Sequence, residues 1–150
     1  TRLKFNPEII NKDILDWTCT KTFKYILLDA PCSATGTIRK HPDLIFLKNK
    51  NELGKYIKTQ QALLEKALSL LSTQGQLIYC VCSVQKNEGI KQVDHILKKF
   101  KNIRREPIKK SEFTQFEKYI TKDGDIQTFP YMKKPGGMDG FFISRLYKEY

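Results

Sequence analysis

Two short apolar runs, one on each side of a long helical pattern, constrain the fold of this chain more than any other feature. The runs cover residues 24–28 and 76–81, and each has the length and apolar character of a buried strand. Between them, apolar residues recur at helical spacing over residues 53–71. A strand, a helix and a strand in this order form a crossover unit, which implies that the two strands are parallel. The sequence therefore predicts an α/β fold.

Each apolar run is followed by turn-prone residues that include a cysteine. Asp29 and Cys32 follow the first run, and Cys82 follows the second. Ligands of an open parallel sheet bind beyond the carboxyl ends of its strands. If the two runs form neighbouring strands, one carboxylate and two thiols lie around one pocket. We therefore expect a chemical site at this edge of the sheet.

The rest of the chain has weaker patterns. Gly75 is expected to end the long helix, and a second amphipathic helix is expected to open at residues 87–88. Further strands are predicted at residues 126–131 and 140–147, with a loop at 133–137 between them. Residues 13–17 are interpreted as a strand end and a loop, and the charged residues 101–110 as solvated surface.

Length and charge limit the classes of protein to which the chain can belong. Its 150 residues, 40% of them hydrophobic, suffice for one globular domain. The net charge of +11 favours a polyanionic partner, although a solvated lysine-rich surface is the alternative. No apolar run approaches the roughly 20 residues that span a bilayer. With no leader pattern at its start, the sequence predicts a cytoplasmic protein without membrane contact.

The four cysteines do not predict a metal site. The histidines His41 and His95 are isolated in the sequence, and no cysteine pair has the spacing of a zinc site. Cys19 and Cys80 are interpreted as small buried hydrophobic residues. Cys80 and Cys82 are two positions apart on one strand and are expected to share a face.

Several motifs together carry a resemblance to a known family. They are Asp-Ala-Pro-Cys-Ser-Ala-Thr-Gly at residues 29–36, Arg-Lys-His-Pro-Asp at 39–43, residues 79–84 followed by Glu88, and residues 138–142. In this order and spacing, the chain closely resembles the Sun/Fmu family of S-adenosylmethionine-dependent RNA cytosine-C5 methyltransferases, and within it the bacterial small-subunit rRNA methyltransferase B type. The resemblance extends over residues 11–148 and implies a Rossmann-like fold, of which this chain carries the C-terminal half, with an antiparallel final strand.

The resemblance also implies roles for individual residues. Cys82 matches the nucleophile that adds to C6 of the cytosine, and Cys32 matches the cysteine that assists release of the product. Asp29 matches a group that hydrogen-bonds the flipped cytosine and belongs to the cofactor site, with a loop cap as the alternative. Asp13 matches a contact to the adenosine part of S-adenosylmethionine, with an ordinary loop aspartate as the alternative.

The substrate implied by the resemblance is ribosomal RNA. Arg39 and His41 lie in the loop that the family places near RNA, where a phosphate contact and a solvated charged loop are both open interpretations. A target base must leave its stack before reaction, and the positive charge then contributes affinity for phosphates.

The chain also departs from the family pattern. No glycine-rich cofactor loop is present, so residues 1–150 are interpreted as one truncated catalytic domain, and a complementing chain is expected to supply the missing strands. Val81 stands where the family usually has threonine, which removes a hydroxyl expected beside the thiol. Gly89 stands where asparagine is expected.

Two other functions remain open from the sequence. One is a non-catalytic, basic RNA-binding remnant of such an enzyme, whose RNA affinity would be indifferent to Cys82. The other is a DNA cytosine methyltransferase, in which Cys32 would be the nucleophile.

Overall fold

The computed structural model describes residues 4–47, 50–132 and 137–150. Its strands and helices follow one another in the order β1 (Phe23–Asp29), α1 (Leu44–Leu47), α2 (Lys50–Leu70), β2 (Leu71–Val81), α3 (Ile90–Lys99), β3 (Ile103–Arg105), β4 (Ile126–Gln127) and β5 (Phe142–Lys148). Short 3-10 turns occupy Thr35–Thr37, Lys110–Glu112 and Thr114–Tyr119. No helix in these ranges is both long enough and apolar enough to cross a membrane.

The strands form one mixed sheet in the order β1-β2-β5-β3, with β4 also paired to β5. β1 and β2 are parallel, and Asp29 lies opposite Cys80 in their register. β5 runs antiparallel to β2 on its other side. The predictions of a parallel pair joined by a helical crossover and of an antiparallel final strand are therefore confirmed.

The hydrophobic core lies between one face of this sheet and the two long helices. Alternate residues of a strand point to the same face, and the residues of β2 that point to the helices are fully buried. The core includes Leu64 and Leu68 of α2, Val93 and Ile96 of α3, and Leu77, Tyr79, Val81, Phe142 and Leu146 of the sheet.

The opposite face of the sheet is less covered. β1 lies at the edge of the described sheet, and the side chains of Tyr25 and Leu27 are 67% and 71% exposed. Farther along the same face, Ile78 and Ile143 contribute to an apolar groove of about 590 Å³. One layer of helices thus shields only one side of a sheet whose second side is also apolar.

The boundary between α2 and β2 corrects one prediction. Gly75 does not end the helix, because α2 ends at Leu70 and β2 begins at the next residue. The pairing with β1 jumps from Leu71 to Gln76, so residues 72–75 form an irregular excursion within the strand. Gln74 adopts a positive φ of 58° there, and a Cβ on Gly75 would lie 2.7 Å from the Ser72 carbonyl oxygen.

Four further predictions need correction. The solvated stretch predicted at 101–110 contains β3, and Ile103 and Ile108 are buried there. Residues 13–17 form turns without a strand. The strand predicted at 126–131 is limited to Ile126–Gln127, and α3 begins at Ile90 rather than at residues 87–88. Of the loop predicted at 133–137, residues 133–136 lie outside the described residues.

Candidate active site

The two cysteine-bearing loops meet beyond the carboxyl ends of β1 and β2. We call residues 30–36 the first cysteine loop and residues 82–88 the second. The Sγ atoms of Cys32 and Cys82 lie 3.4 Å apart, a hydrogen-bond distance between two free thiols. The backbone N–H of Gly36 donates to the carbonyl oxygen of Cys82 at 3.0 Å. The sheet therefore brings the two predicted catalytic cysteines into direct contact.

Asp29 ends β1, immediately before the first cysteine loop, and is exposed. The thiol of Cys80 on the neighbouring strand donates to its Oδ1 at 3.6 Å. Burial raises the pKa of Cys80 to about 11, and the charge of Asp29 adds to the effect. Cys80 and Cys19 are only partly buried, which corrects their interpretation as buried hydrophobic residues.

A buried carboxylate lies between the two cysteine loops. Both oxygens of Glu88 accept hydrogen bonds: Oε1 from the Ser33 N–H at 2.8 Å and Oε2 from the Ser83 hydroxyl at 2.6 Å. The side chain is fully buried. Sequence reasoning placed Glu88 at a helix opening and missed this contact. The signal that could have found it is the motif of residues 79–84 followed by Glu88, which puts a carboxylate six positions after Cys82.

The basic loop after the first cysteine loop is tied to the segment before β5. Arg39 and Lys40 form ion pairs with Asp139, at 3.5 and 2.6 Å. The hydrogen bond from Lys40 lowers the pKa of Asp139. The N–H of Gly140 donates to the carbonyl oxygen of Gly36 at 2.8 Å. The structure thus places Arg39 near the cysteine loops, with about two fifths of its side chain exposed.

The other two predicted site residues lie at exposed positions. His41 is exposed in the basic loop. Asp13 is exposed in the loop before β1, and its Oδ1 accepts a hydrogen bond from the Leu15 N–H at 2.9 Å. The hydrogen bonds of the described residues do not join Asp13 to Asp29 or to the thiol of Cys32 or Cys82. Among these same residues, no group of His, Cys, Asp and Glu side chains is arranged to hold a metal ion.

Comparison with known proteins identifies the family. The family model described as 16S rRNA methyltransferase RsmB/F matches residues 1–147. The chain belongs to this family. A ribosomal RNA small subunit methyltransferase B from Photorhabdus laumondii is 33% identical over 132 residues, which are 88% of this chain and 28% of that protein. A methyltransferase F from Shewanella pealeana is 33% identical over 128 residues, 85% of this chain and 26% of that protein. This RsmB/F chain spans about a quarter of the length of these relatives.

Solved structures support the same fold. A methyltransferase homologue from Pyrococcus horikoshii superposes with a TM-score of 0.65 at 25% identity, over 85% of this chain and 40% of that one. The crystal structure of NSun6 from Pyrococcus horikoshii with SFG superposes with a TM-score of 0.73 at 21% identity, over 95% of this chain and 35% of that one. The predicted Rossmann-like methyltransferase fold and the predicted family are therefore confirmed for this RsmB/F chain.

Two of the three departures from the family pattern, at Val81 and Gly89, can be related to their local surroundings. Val81 is fully buried in the core, on the face of β2 opposite Cys80. The expectation that a hydroxyl is missing beside the Cys82 thiol stays a prediction. At Gly89, an added Cβ would lie 2.9 Å from the ring of Phe142, so this RsmB/F chain has no room for asparagine without a shift of that ring.

The environment of Cys32 predicts an unusual pH dependence of its alkylation. Burial raises its pKa to about 12; the backbone hydrogen bond from Ala34 acts in the opposite direction, and Cys82 and Glu88 make smaller contributions that raise the pKa. Because the thiolate is the reactive form, we expect its rate with iodoacetamide to rise about tenfold per pH unit without levelling off below pH ~10. Peptide mapping by mass spectrometry measures this rate at each pH.

The control for this experiment is the same cysteine in the urea-unfolded chain. There the rate is expected to level off near pH ~8.5, the ordinary pKa of a cysteine. A rate in the folded chain that levels off at the same pH would contradict the effect of burial.

Proposed function

We propose that this chain is the catalytic part of an S-adenosylmethionine-dependent rRNA methyltransferase that modifies C5 of a cytosine. Membership of the RsmB/F family supports the reaction class. The observation that carries the cytosine-C5 chemistry is the pair of thiols 3.4 Å apart beyond the carboxyl ends of two parallel strands. Two thiols in contact suit a reaction in which one sulfur forms a bond to the base and the other acts on the resulting adduct.

Cys82 carries the nucleophilic step in this proposal. Its thiolate forms an S–C6 bond, and the electron pair of the C5–C6 double bond makes C5 nucleophilic. After C5 has gained the methyl group, it loses its proton, the double bond re-forms and the S–C6 bond breaks. The two sulfurs are within hydrogen-bond distance, so Cys32 is suited to act where the adduct is resolved. Asp29 is suited to hydrogen-bond the base, since it ends β1 beside these loops with its side chain exposed.

The residues present fit one part of a cofactor site. Asp13 is an exposed carboxylate in the loop before β1, and Asp29 is an exposed carboxylate at the end of β1. Carboxylates accept hydrogen bonds from hydroxyl and amino groups. S-adenosylmethionine supplies an electrophilic methyl group when bound. In this proposal, Asp13 contacts the adenosine part of S-adenosylmethionine, and Asp29 lies where the cofactor and the target cytosine meet.

Ribosomal RNA is the partner in this proposal. The names of the curated relatives support it, and the net charge of +11 suits a polyanion. Arg39 and His41 are exposed in the loop that follows the first cysteine loop. We assign them to phosphate contacts beside the target base.

A second polypeptide segment is the other partner that we propose. β1 lies at the edge of the described sheet, with Tyr25 and Leu27 exposed on its uncovered face. An unpaired edge strand beside an apolar face is a template for further strands. Strands that pair with β1, and carry a glycine-rich turn, would complete the cofactor site around Asp13 and Asp29.

Calorimetric titration with S-adenosylhomocysteine tests this function. We expect the chain to bind it in the presence of a polypeptide that supplies the preceding strands of a relative's catalytic domain. Asp13→Ala is expected to weaken binding about tenfold or more, the effect of losing a hydrogen bond to a charged group. Asp16→Ala is the matched control, because Asp16 is an exposed aspartate of the same turn.

The possible outcomes separate the two candidate functions. Binding that weakens with Asp13→Ala and not with Asp16→Ala supports the methyltransferase. Absence of binding by the folded mixture, combined with RNA affinity that is unchanged by Cys82→Ala, would support a non-catalytic RNA-binding protein instead.

A further inference from the structure

Glu88 lies between the two residues that directly follow the catalytic cysteines. Ser33 follows Cys32, Ser83 follows Cys82, and the carboxylate of Glu88 accepts hydrogen bonds from both. We propose that Glu88 is a positioning residue that fixes the separation of the Cys32 and Cys82 thiols. The catalytic consequence of this role rests on the proposed function, whereas the geometric role does not.

The two carboxylate oxygens have different tasks. Oε2 accepts from the Ser33 hydroxyl at 2.5 Å and from the Ser83 hydroxyl at 2.6 Å, and so bridges the two cysteine loops directly. Oε1 accepts from the Ser33 N–H at 2.8 Å and from Gln60 Nε2 at 3.1 Å, and so ties the first cysteine loop to α2. We call Glu88, Ser33, Ser83 and Gln60 the Glu88 network. Four donors thus converge on one carboxylate.

The Glu88 network is held by rigid parts of the fold. Gln60, in α2, also donates to the carbonyl oxygen of Pro31 at 2.9 Å. The hydroxyl of Tyr79, in the core of β2, donates to the backbone carbonyl oxygen of Glu88 at 2.6 Å. Gln60, Tyr79 and Glu88 are all fully buried. The carboxylate is therefore fixed relative to the sheet and to α2, and the cysteine loops take their positions from it.

Thr35, in the first cysteine loop, makes further contacts with the second cysteine loop. Its Oγ1 lies 3.0 Å from the Ser83 hydroxyl and accepts from the Val84 N–H at 3.2 Å. The hydroxyls of Ser33 and Ser83 also lie 3.2 Å apart. Each loop therefore contacts the other directly as well as through Glu88, and a shift of either serine moves the cysteine next to it.

Chemistry restricts the residue that can fill this position. An ionised carboxylate is acceptor-only and can take four hydrogen bonds, whereas glutamine places two donors where one oxygen stood. In Glu88→Gln, one amide oxygen cannot serve four donors. In Glu88→Asp, the side chain is one methylene shorter, so it cannot reach both serines. We therefore expect both variants to loosen the spacing of the thiols.

The separation of the thiols can be measured without any methyltransferase assay. Dibromobimane becomes fluorescent when it cross-links two neighbouring thiols. Each sulfur then forms one S–C bond to the reagent and displaces one bromide. In a Cys19→Ser, Cys80→Ser background, only Cys32 and Cys82 can be cross-linked. We expect Glu88→Gln to slow this cross-linking about tenfold or more, the scale at which a misplacement of about 1 Å affects a reaction between positioned groups.

Asp125→Asn is the matched control. Asp125 is also a fully buried carboxylate, but its ion pair is with Arg105 on β3. Loss of its charge is expected to leave cross-linking unchanged. Unchanged cross-linking in folded Glu88→Gln would overturn the proposal. If Glu88→Gln does not fold by circular dichroism, Ser33→Ala and Ser83→Ala decide: slower cross-linking in both supports the positioning role, and wild-type rates in both contradict it.

Methyl transfer then separates this inference from the proposed function. With the complementing polypeptide and RNA, Glu88→Gln is expected to lower kcat at an unchanged KM for RNA, because the exposed RNA-contacting residues are not moved. Glu88→Asp, which keeps the charge, is expected to recover part of kcat. If Glu88→Gln slows cross-linking but the wild-type chain transfers no methyl group, the positioning role stands and the proposed function fails.

Discussion

Replacement of Cys82 with alanine is expected to abolish the covalent complex of this chain with an RNA that carries 5-fluorocytosine. The sulfur of Cys82 is the atom that bonds C6 in the proposed mechanism, and fluorine at C5 blocks the proton loss that would release it. With ordinary RNA, methyl transfer is expected to fall by at least about 10⁴-fold, as for other catalytic nucleophiles. A denaturing gel of labelled RNA, with the complementing polypeptide present, measures the complex.

Cys32→Ala is the counterpart of this experiment. Its thiol is 3.4 Å from that of Cys82, yet its assigned role comes after methyl transfer. A stalled covalent complex is therefore expected to accumulate with ordinary cytosine. Cys19→Ala, a partly buried cysteine in the loop before β1, is the control that keeps wild-type behaviour. If Cys32→Ala abolished the covalent complex and Cys82→Ala made it accumulate, the nucleophile would be Cys32, as in DNA cytosine methyltransferases.

Gly36→Ala is expected to cause the largest loss of stability. An added Cβ would lie 1.9 Å from the carbonyl oxygen of Gly140, a backbone atom that also belongs to the segment before β5. Overpacking of this kind costs about 3 kcal/mol, which corresponds to a fall in Tm of roughly 6–12 °C for a chain of this size. Thermal unfolding followed by circular dichroism measures the change.

Gly54→Ala provides the matched control for Gly36→Ala. An added Cβ at this position in α2 meets nothing within 4 Å. Alanine has a higher helix propensity than glycine, so this variant is expected to gain up to about 1 kcal/mol. An equal loss of stability in both variants would show that the approach of Gly36 to Gly140 is not the cause.

The fold was accessible from the sequence because its strongest signals are local. The apolar run that becomes β1 and the helical spacing in α2 each act within a few residues of chain. Parallel pairing then follows from the length of the crossover. Once the two strands are neighbours, the positions of Cys32 and Cys82 follow from their place just beyond the strand ends.

The remaining features depend on tertiary contacts that a local pattern does not contain. Ile103 lies among charged residues, yet it is buried because β3 pairs with the end of β5. Arg105 in the same strand donates a hydrogen bond to Asp94 of α3 at 3.2 Å and forms an ion pair with Asp125, near β4, at 3.6 Å. Because these partners lie outside residues 101–110, the composition of that segment alone is typical of solvated surface.

The Glu88 network shows the same limit inside the candidate site. The donors to Glu88 come from the first cysteine loop, from α2 and from the second cysteine loop. Ser33 is 55 positions from Glu88 in the chain, and Gln60 is 28 positions away. A motif can place Glu88 near Cys82, but only the assembled sheet gives the carboxylate its four donors.

The position of β5 sets an order for biosynthesis. The last strand of the chain lies between β2 and β3 in the sheet, and Gly140, just before it, contacts the first cysteine loop about 100 residues earlier. Contacts of such long sequence separation form late and slow folding. A ribosome that makes this chain must therefore release β5 before the first cysteine loop gains its contact with Gly140 and before β2 gains its second neighbour in the sheet.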